Sequence, residues 1–262
     1  MLALVVLLPP LVLLVIGSLH PPGLPPPPAL DLVPDGISGD AYSRAVELGG
    51  LVRATVNSTL VALVAVPLSV LVASLAGFAL VHLPRRVTTV VVLGSLVALT
   101  VPVTALLVPR FTIFSALGLT DTLLPLVAPA LIGTSPLYVL VYVLAFRALS
   151  TDLYDTCRLE DLTPMQTWRR VAMPLVRPVT AGVATLTFIL TWSNFLEPLV
   201  LIYDRDRFTL PLALRSLATL DPSNFPVFLA GAVIATVPAV IVFALAQRRF
   251  LQEDIRLGVG SR

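Results

Sequence analysis

Few side chains in this 262-residue chain could make or break a covalent bond. Cys157 is the single cysteine, and the two histidines, His20 and His82, lie far apart. No intrachain disulfide can form, and neither histidine has partners at metal-ligand spacing. Neither stands near a nucleophile and an acid in a recognisable motif, and the chain has no phosphate loop of the G-x-x-x-x-G-K type. The residues point away from an enzyme, a metal site and a resident cofactor. What remains is a set of polar side chains at helical spacing in apolar surroundings. Thr187, Thr191 and Asn194 recur at i, i+4 and i+7, and Ser135, Tyr138 and Tyr142 make a comparable stripe. Such groups either face the interior of a helix bundle, where a polar solute could touch them, or hydrogen-bond from helix to helix. Both readings stay open. Glu197 is the one carboxylate inside a long apolar run, which raises a proton relay as a further chemistry.

The elements that must position these residues follow from composition. The chain is 57% apolar and 12% charged, with a mean hydropathy of +0.96. Soluble domains carry about 25% charged residues, so the bilayer is the expected solvent. A spanning helix needs about 20 mainly apolar residues, because roughly 30 Å of hydrocarbon is crossed at about 1.5 Å per residue. Six segments qualify: residues 2–19, 59–80, 87–108, 123–146, 179–203 and 227–246. None carries an arginine at its centre, so the expected fold is an all-α polytopic membrane protein with six transmembrane helices in a single domain, residues 1–262. Counting from Pro178 places Glu197 roughly 28 Å along the fifth segment, near the outer edge of the hydrocarbon, where it need not be desolvated. That depth, and the absence of an internal repeat, argue against a proton-coupled secondary transporter. The first segment has no basic leader and runs into His20-Pro21-Pro22-Gly23 instead of a small-x-small site, so it reads as a span and not as a cleaved signal. Pro9-Pro10 should bend it, and the run Pro25 to Pro28 reads as a stiff connector. The chain opens directly inside the hydrophobic run, so the expectation is that a short leading segment is absent or that the start was mis-assigned.

Every one of the 17 basic residues is an arginine, and none forms a run longer than two. Pairs such as Arg85-Arg86, Arg169-Arg170 and Arg248-Arg249 look like loop anchors beside a membrane, not a nucleic-acid surface. Eleven arginines fall in the second loop, the fourth loop and the C-terminal tail, against six in the other three loops. By the positive-inside rule both termini and the fourth loop, residues 147–177, face the cytoplasm.

That fourth loop is written like a small folded element. Thr163-Pro164-Met165-Gln166 is a capping box with proline at the first helical position, so a helix starts there. Arg169 and Arg170 suit its last turn, and Pro174 marks where it must stop or bend. A shorter helix from about Leu153 to Glu160 precedes it, giving helix, turn, helix.

The loop resembles the EAA loop of ABC-importer permeases, whose pattern is Glu-Ala-Ala, three residues, Gly, nine residues and Ile-x-Leu-Pro. Asp155-Thr156-Cys157 stand for Glu-Ala-Ala, Asp161 for the glycine, and Val171-Ala172-Met173-Pro174 for the closing motif. Two departures matter. Asp161 replaces a glycine expected at positive φ, a conformation that Asp reaches only at some cost. Asp155 is one methylene shorter than glutamate. Other stretches are similar to maltose-type permeases, in order along the chain: Asn57-Ser58 opening helix two, Gly118 to Thr122 in the third loop, Trp192 to Leu199 in helix five, and Phe208-Thr209-Leu210-Pro211 after it.

The resemblance implies a carbohydrate ABC-importer permease in the cell membrane. It implies that residues 147–177 hold a coupling helix docking into a cytoplasmic ATPase dimer, with Leu159 and Leu162, which flank the turn, as buried anchors and Asp155 as a rim or capping contact. It further implies a second permease chain, usually a different one, an extracellular solute-binding protein, and ATP bound by the partner subunits. Thr187, Thr191, Asn194, Ser135, Tyr138 and Tyr142 are then the candidates for the translocation pathway. An importer of the same kind for a non-sugar solute is the alternative.

Overall fold

The computed structural model describes residues 2–26 and 36–258, with side chains placed for 8–26 and 36–246. Pro27, Pro28 and Arg262 lie outside the described residues. Every ordered element among the described residues is helical. In chain order the α-helices are α1 (Leu2–Ser18), α2 (Asp40–Gly49), α3 (Leu51–His82), α4 (Arg85–Leu99), α5 (Leu107–Ala116), α6 (Leu124–Val127), α7 (Pro136–Arg147), α8 (Thr151–Leu159), α9 (Pro164–Thr167), α10 (Met173–Leu175), α11 (Arg177–Trp192), α12 (Leu196–Leu201), α13 (Leu210–Leu220) and α14 (Phe225–Gly258).

By length and composition three stretches could cross a membrane unaided, Leu51–His82, Leu124–Arg147 and Phe225–Ala246. Two more could do so only as bent pairs: Arg85–Leu99 with Val103–Ala116, turned by 90°, and Pro164–Leu175 with Arg177–Trp192, turned by 85°. Three of the expected spans contain a break in the helix, and each break has a local cause. In residues 87–108 the helix stops at Leu99, because Pro102 lacks an amide and disfavours a helical residue before it. In residues 123–146 a 3₁₀ stretch, Ala128–Ile132, leads to Gly133 and Thr134, both left-handed at φ 77° and 64°, before α7 restarts. In residues 179–203 the helix ends at Trp192 and resumes at Leu196, with Pro198 in the first turn of α12, where no amide is required.

The described chain forms two compact units. One comprises Met1–Leu60, Asp121–Leu123 and Trp192–Val242. Its core is built on Leu51, Leu201, Leu210, Leu217 and Val227, all almost fully buried. The amphipathic α13 packs on α2, whose Ala41, Ala45 and Gly49 recur every four residues and make a face small enough for close approach. Gly50, at φ 58°, ends α2, and α3 begins at the next residue. Asn57 and Ser58 therefore lie in the second turn of α3 instead of opening it, which corrects the expected start at residue 59.

The second unit comprises Val61–Thr120, Leu124–Thr191 and Phe243–Arg262. Ala73 and Phe78 of α3, Tyr138, Tyr142 and Phe146 of α7, and Ala172, Val176 and Val183 form its buried core. Gly77 brings α3 and α7 together: a Cβ there would stand 2.6 Å from Tyr142 Cβ and 3.2 Å from the carbonyl oxygen of Val139. Glycine in a spanning helix here serves backbone approach, which is how helices associate without a hydrophobic driving force. Outward-facing Leu63, Val90 and Leu144 remain exposed on the isolated chain, as expected where lipid or another subunit covers them.

Candidate functional site

The stretch from Thr151 to Leu175 folds as two helices joined by a tightly specified turn. Ser150 accepts the Asp152 amide at 3.1 Å and so caps α8. At the other end the Asp161 amide reaches the Arg158 carbonyl (3.1 Å) and the Leu162 amide the Cys157 carbonyl (3.0 Å). This pair of bonds is a Schellman motif, and its left-handed position is Asp161, at φ 51°. Thr163 then opens α9: it accepts the Gln166 amide at 3.3 Å while its own amide reaches the Gln166 side chain at 2.9 Å. Helix, turn and capping box are arranged as the residue types require.

The remaining loop residues divide by exposure. Leu159 is 85% exposed at the tip, and Met165 on α9 is also exposed, while Leu162 is half-buried. Cys157 faces inward and is buried. Asp155 pairs with Arg158 at 3.0 Å, but both side chains are more than 60% exposed, so the pair adds little, of order 0–1 kcal/mol. Thr156 bonds back to the Asp152 carbonyl. The helix that holds Pro174 ends one residue later, at Leu175, and the chain bends there, as expected of a proline at this position. The chain takes a wide π-turn over Trp168–Ala172, in which the Met173 amide reaches back five residues to Trp168. That turn accommodates the proline's missing amide, and the 85° bend comes afterwards, between Leu175 and Arg177.

Tyr154 went unweighed in the sequence. Its ring meets Phe78 and His82 of α3, and its hydroxyl donates to the Phe146 carbonyl at 3.0 Å. Burial holds its phenol above the ordinary value of 10, with Cys157 nearby acting the same way. The group stays a protonated donor at neutral pH. An aromatic residue on an otherwise polar loop helix was the available signal.

The two polar stripes do not behave as one surface. Tyr142 and Thr187 are fully buried and Tyr138 is 2% exposed, all within the core of their unit. The Tyr142 hydroxyl donates to Thr180 (3.2 Å) and Thr187 to the Val183 carbonyl (2.8 Å). Tyr138 faces Thr187 but closes no hydrogen bond of ordinary geometry. Packing accounts for these three. Ser135 lies before α7 and caps it by accepting the Leu137 amide, so it is no part of a helical stripe. Asn194 falls in the break after α11, donates to Glu197 at 2.9 Å and accepts its amide. Thr191 is partly exposed near the end of α11. Glu197, expected to stay hydrated, is only 7% exposed and is held by Asn194 at the start of α12.

Three of the ordered sequence motifs meet in the first unit. Asn57 donates to the Asp206 and Phe208 carbonyls (2.9 and 3.0 Å), and Ser58 accepts the Leu210 amide (2.8 Å). Asp121, left-handed at φ 59°, accepts the Tyr203 and Asp204 amides at 3.1 and 2.9 Å. Those amides, with Arg207 beside it, hold the Asp121 carboxyl below its ordinary value of 3.8. Arg207 also donates to the Asp121 carbonyl, and Arg53 pairs with Asp206 at 3.0 Å. Asn57 and Ser58 thereby hold Phe208 and Leu210 from about 150 positions earlier, and Asp121 holds the neighbouring Tyr203 to Arg207 stretch.

Apolar helices, several of them broken, with a capped helix-turn-helix loop between two of them, describe a multi-pass membrane protein. The chain superposes on a crystal structure of a bacterial ABC transporter that imports alginate, with a TM-score of 0.76 over 95% of this chain and 92% of that one, at 21% identity. A methionine ABC transporter in an inward-facing conformation matches with a TM-score of 0.55 over 76% of this chain and 93% of that one, at 18% identity. These are likenesses of fold. The chain belongs to the binding-protein-dependent transport system inner membrane component family, whose model matches residues 65–252. It is a membrane permease component and not an enzyme. Among relatives, an arabinooligosaccharides transport system permease of Halalkalibacterium halodurans is 33% identical over 74% of this chain and 69% of its own length. A lactose transport system permease of Rhizobium radiobacter is 32% identical over 75% and 71%. A trehalose transport system permease of Mycobacterium tuberculosis is 28% identical over 84% and 81%.

Proposed function

We propose that this chain is the translocating subunit of an ATP-driven sugar importer, spanning the membrane six times with both termini in the cytoplasm. Two cytoplasmic ATPase subunits bind and hydrolyse ATP, a second and different permease chain completes the pathway, and an extracellular binding protein delivers the sugar. The observation that carries this reading is the turn at Glu160 to Thr163, which presents the exposed Leu159 from between two capped helices in a member of this permease family. Asp155, Thr156, Cys157, Leu159, Asp161, Leu162 and Pro174 form the ATPase-coupling segment, with Leu159 entering the cleft, Asp161 and Cys157 shaping the turn, and Asp155 at the rim. Thr187, Thr191, Asn194, Ser135, Tyr138 and Tyr142 are the candidate contacts of the solute route; Thr191, Asn194 and Ser135 keep some exposure, while Tyr138, Tyr142 and Thr187 are buried. The relatives named for arabinooligosaccharides, lactose and trehalose support a saccharide as cargo.

A strain deleted for this chain, assayed with radiolabelled arabino-oligosaccharides, lactose and trehalose, tests the proposal. Loss of uptake of at least one sugar, restored by the intact gene and abolished when ATP is depleted, is the expected result. Uptake that survives deletion, or that follows the proton gradient instead of ATP, would overturn it.

A further inference from the structure

Four rings from three helices meet where α3 and α7 end and α8 begins. Phe78 stands edge-on to Phe146, with centroids 5.5 Å apart and planes at 87°. His82, one turn further along α3, lies 5.2 Å from Tyr154 at 88°, and Phe78 lies 6.3 Å from Tyr154. Edge-to-face aromatic pairs hold a preferred geometry beyond simple burial, so these rings fix angles as well as distances. The Tyr154 hydroxyl closes on the Phe146 carbonyl, one of those that the end of α7 leaves without a helical partner. Phe146 in turn stacks on Tyr142 at 5.7 Å, and Tyr142 reaches Thr180 in the first turn of α11. A continuous line of packed rings and hydrogen bonds thus runs from α8 to α3, α7 and α11.

The two halves of the loop are attached differently. The second half, α9 to α10, runs by its own backbone into α11, and Ala172 and Val176 are buried in the core. The first half has three residues of chain, Ala148 to Ser150, between it and α7; α8 turns Tyr154 and Cys157 inward, and Tyr154 is the one packed against that core. The exposed Asp155–Arg158 pair on the same helix grips nothing outside it.

We propose that Tyr154 is the positioning residue through which displacement of the α8 half of the loop is passed to the ends of α3 and α7; this rests on the reading of the loop as the ATPase-coupling segment. The ring carries the effect, because the Leu149 amide also reaches the Phe146 carbonyl, at 3.3 Å, and can satisfy it without the hydroxyl. Removing the ring leaves the docking tip at Leu159 untouched but uncouples it from the spanning helices.

The test uses the whole complex with its ATPase and binding protein in proteoliposomes, and radiolabelled sugar of the kind the wild type imports. Sugar transported per ATP hydrolysed is measured for wild type, Tyr154→Ala and Tyr154→Phe. Tyr154→Ala should co-purify with its ATPase yet transport about fivefold less sugar per ATP, within the range over which residues along a coupling network act. Tyr154→Phe should stay within about twofold of wild type, since only one replaceable hydrogen bond is lost. Phe78→Leu, on the α3 side, should show the same defect, and the double variant should be no worse than Tyr154→Ala, as neighbours in one contact are not additive. Wild-type transport per ATP in Tyr154→Ala overturns the inference while leaving the coupling segment intact. Loss of the ATPase from Tyr154→Ala also overturns it, because Tyr154 would then be a docking contact. Should Tyr154→Ala fail to assemble, a normal ratio in Phe78→Leu overturns it instead. An ATPase that does not bind even the wild type refutes the coupling reading itself.

Discussion

Asp161 shows how much one residue can reveal about a loop. Its left-handed φ of 51° is the conformation that the glycine of the resembled motif would adopt freely. An L-residue there costs roughly 1–2 kcal/mol, somewhat less for Asp. Asp161→Gly should therefore keep or raise the thermal midpoint of the assembled complex, because relief of the left-handed strain offsets the roughly 0.5–1 kcal/mol of chain entropy that glycine loses, whereas Asp161→Val should lower it, since a β-branched side chain fits poorly. Equal melting curves for the two variants would show that the turn places no demand on this φ. The capping box and this turn were legible because each is set by a few adjacent residue types. Tyr142 and Thr187 were not: spacing put them on helical stripes, but which neighbour each stripe faces depends on packing across distant helices.

At the scale of elements, the apolar runs located the long apolar helices, and the interruptions were the part that composition concealed. A window of twenty apolar residues reads the same whether or not the helix breaks at Pro102, Gly133 or Ser193, so the breaks inside three of the runs were not legible. The packing helices α2 and α13 were also missed, because each is shorter than a span and shows only a stripe of small or apolar residues. Close approach of α3 and α7 at Gly77 gives an element-scale prediction. Gly77→Ala places a Cβ against Tyr142 and backbone of α7, and overpacking of this kind costs typically 1–3 kcal/mol. The variant should insert but melt several degrees lower in detergent; an unchanged melt would show that the helices can separate without penalty.

For the whole molecule, the arginine distribution and the coupling segment make one joint claim about which side faces the ATPase. Cys157 is buried and so reports poorly on sidedness, whereas Glu160 beside it is exposed. In a Cys157→Ala background without the ATPase, Glu160→Cys should react with a membrane-permeant maleimide and not with an impermeant one added to intact cells. Reaction with the impermeant reagent would invert the orientation. The most direct measurement of the account is retention of the ATPase on the affinity-purified permease carrying Leu159→Asp, set beside Asp155→Ala. A charge forced into a desolvated cleft costs several kcal/mol, while a rim pair contributes about 1 kcal/mol or less. The account predicts that Leu159→Asp inserts normally, loses about tenfold or more of the bound ATPase and stops transporting, with Asp155→Ala near wild type. Full retention of ATPase and transport by Leu159→Asp would contradict it and return the loop to a solvated hairpin.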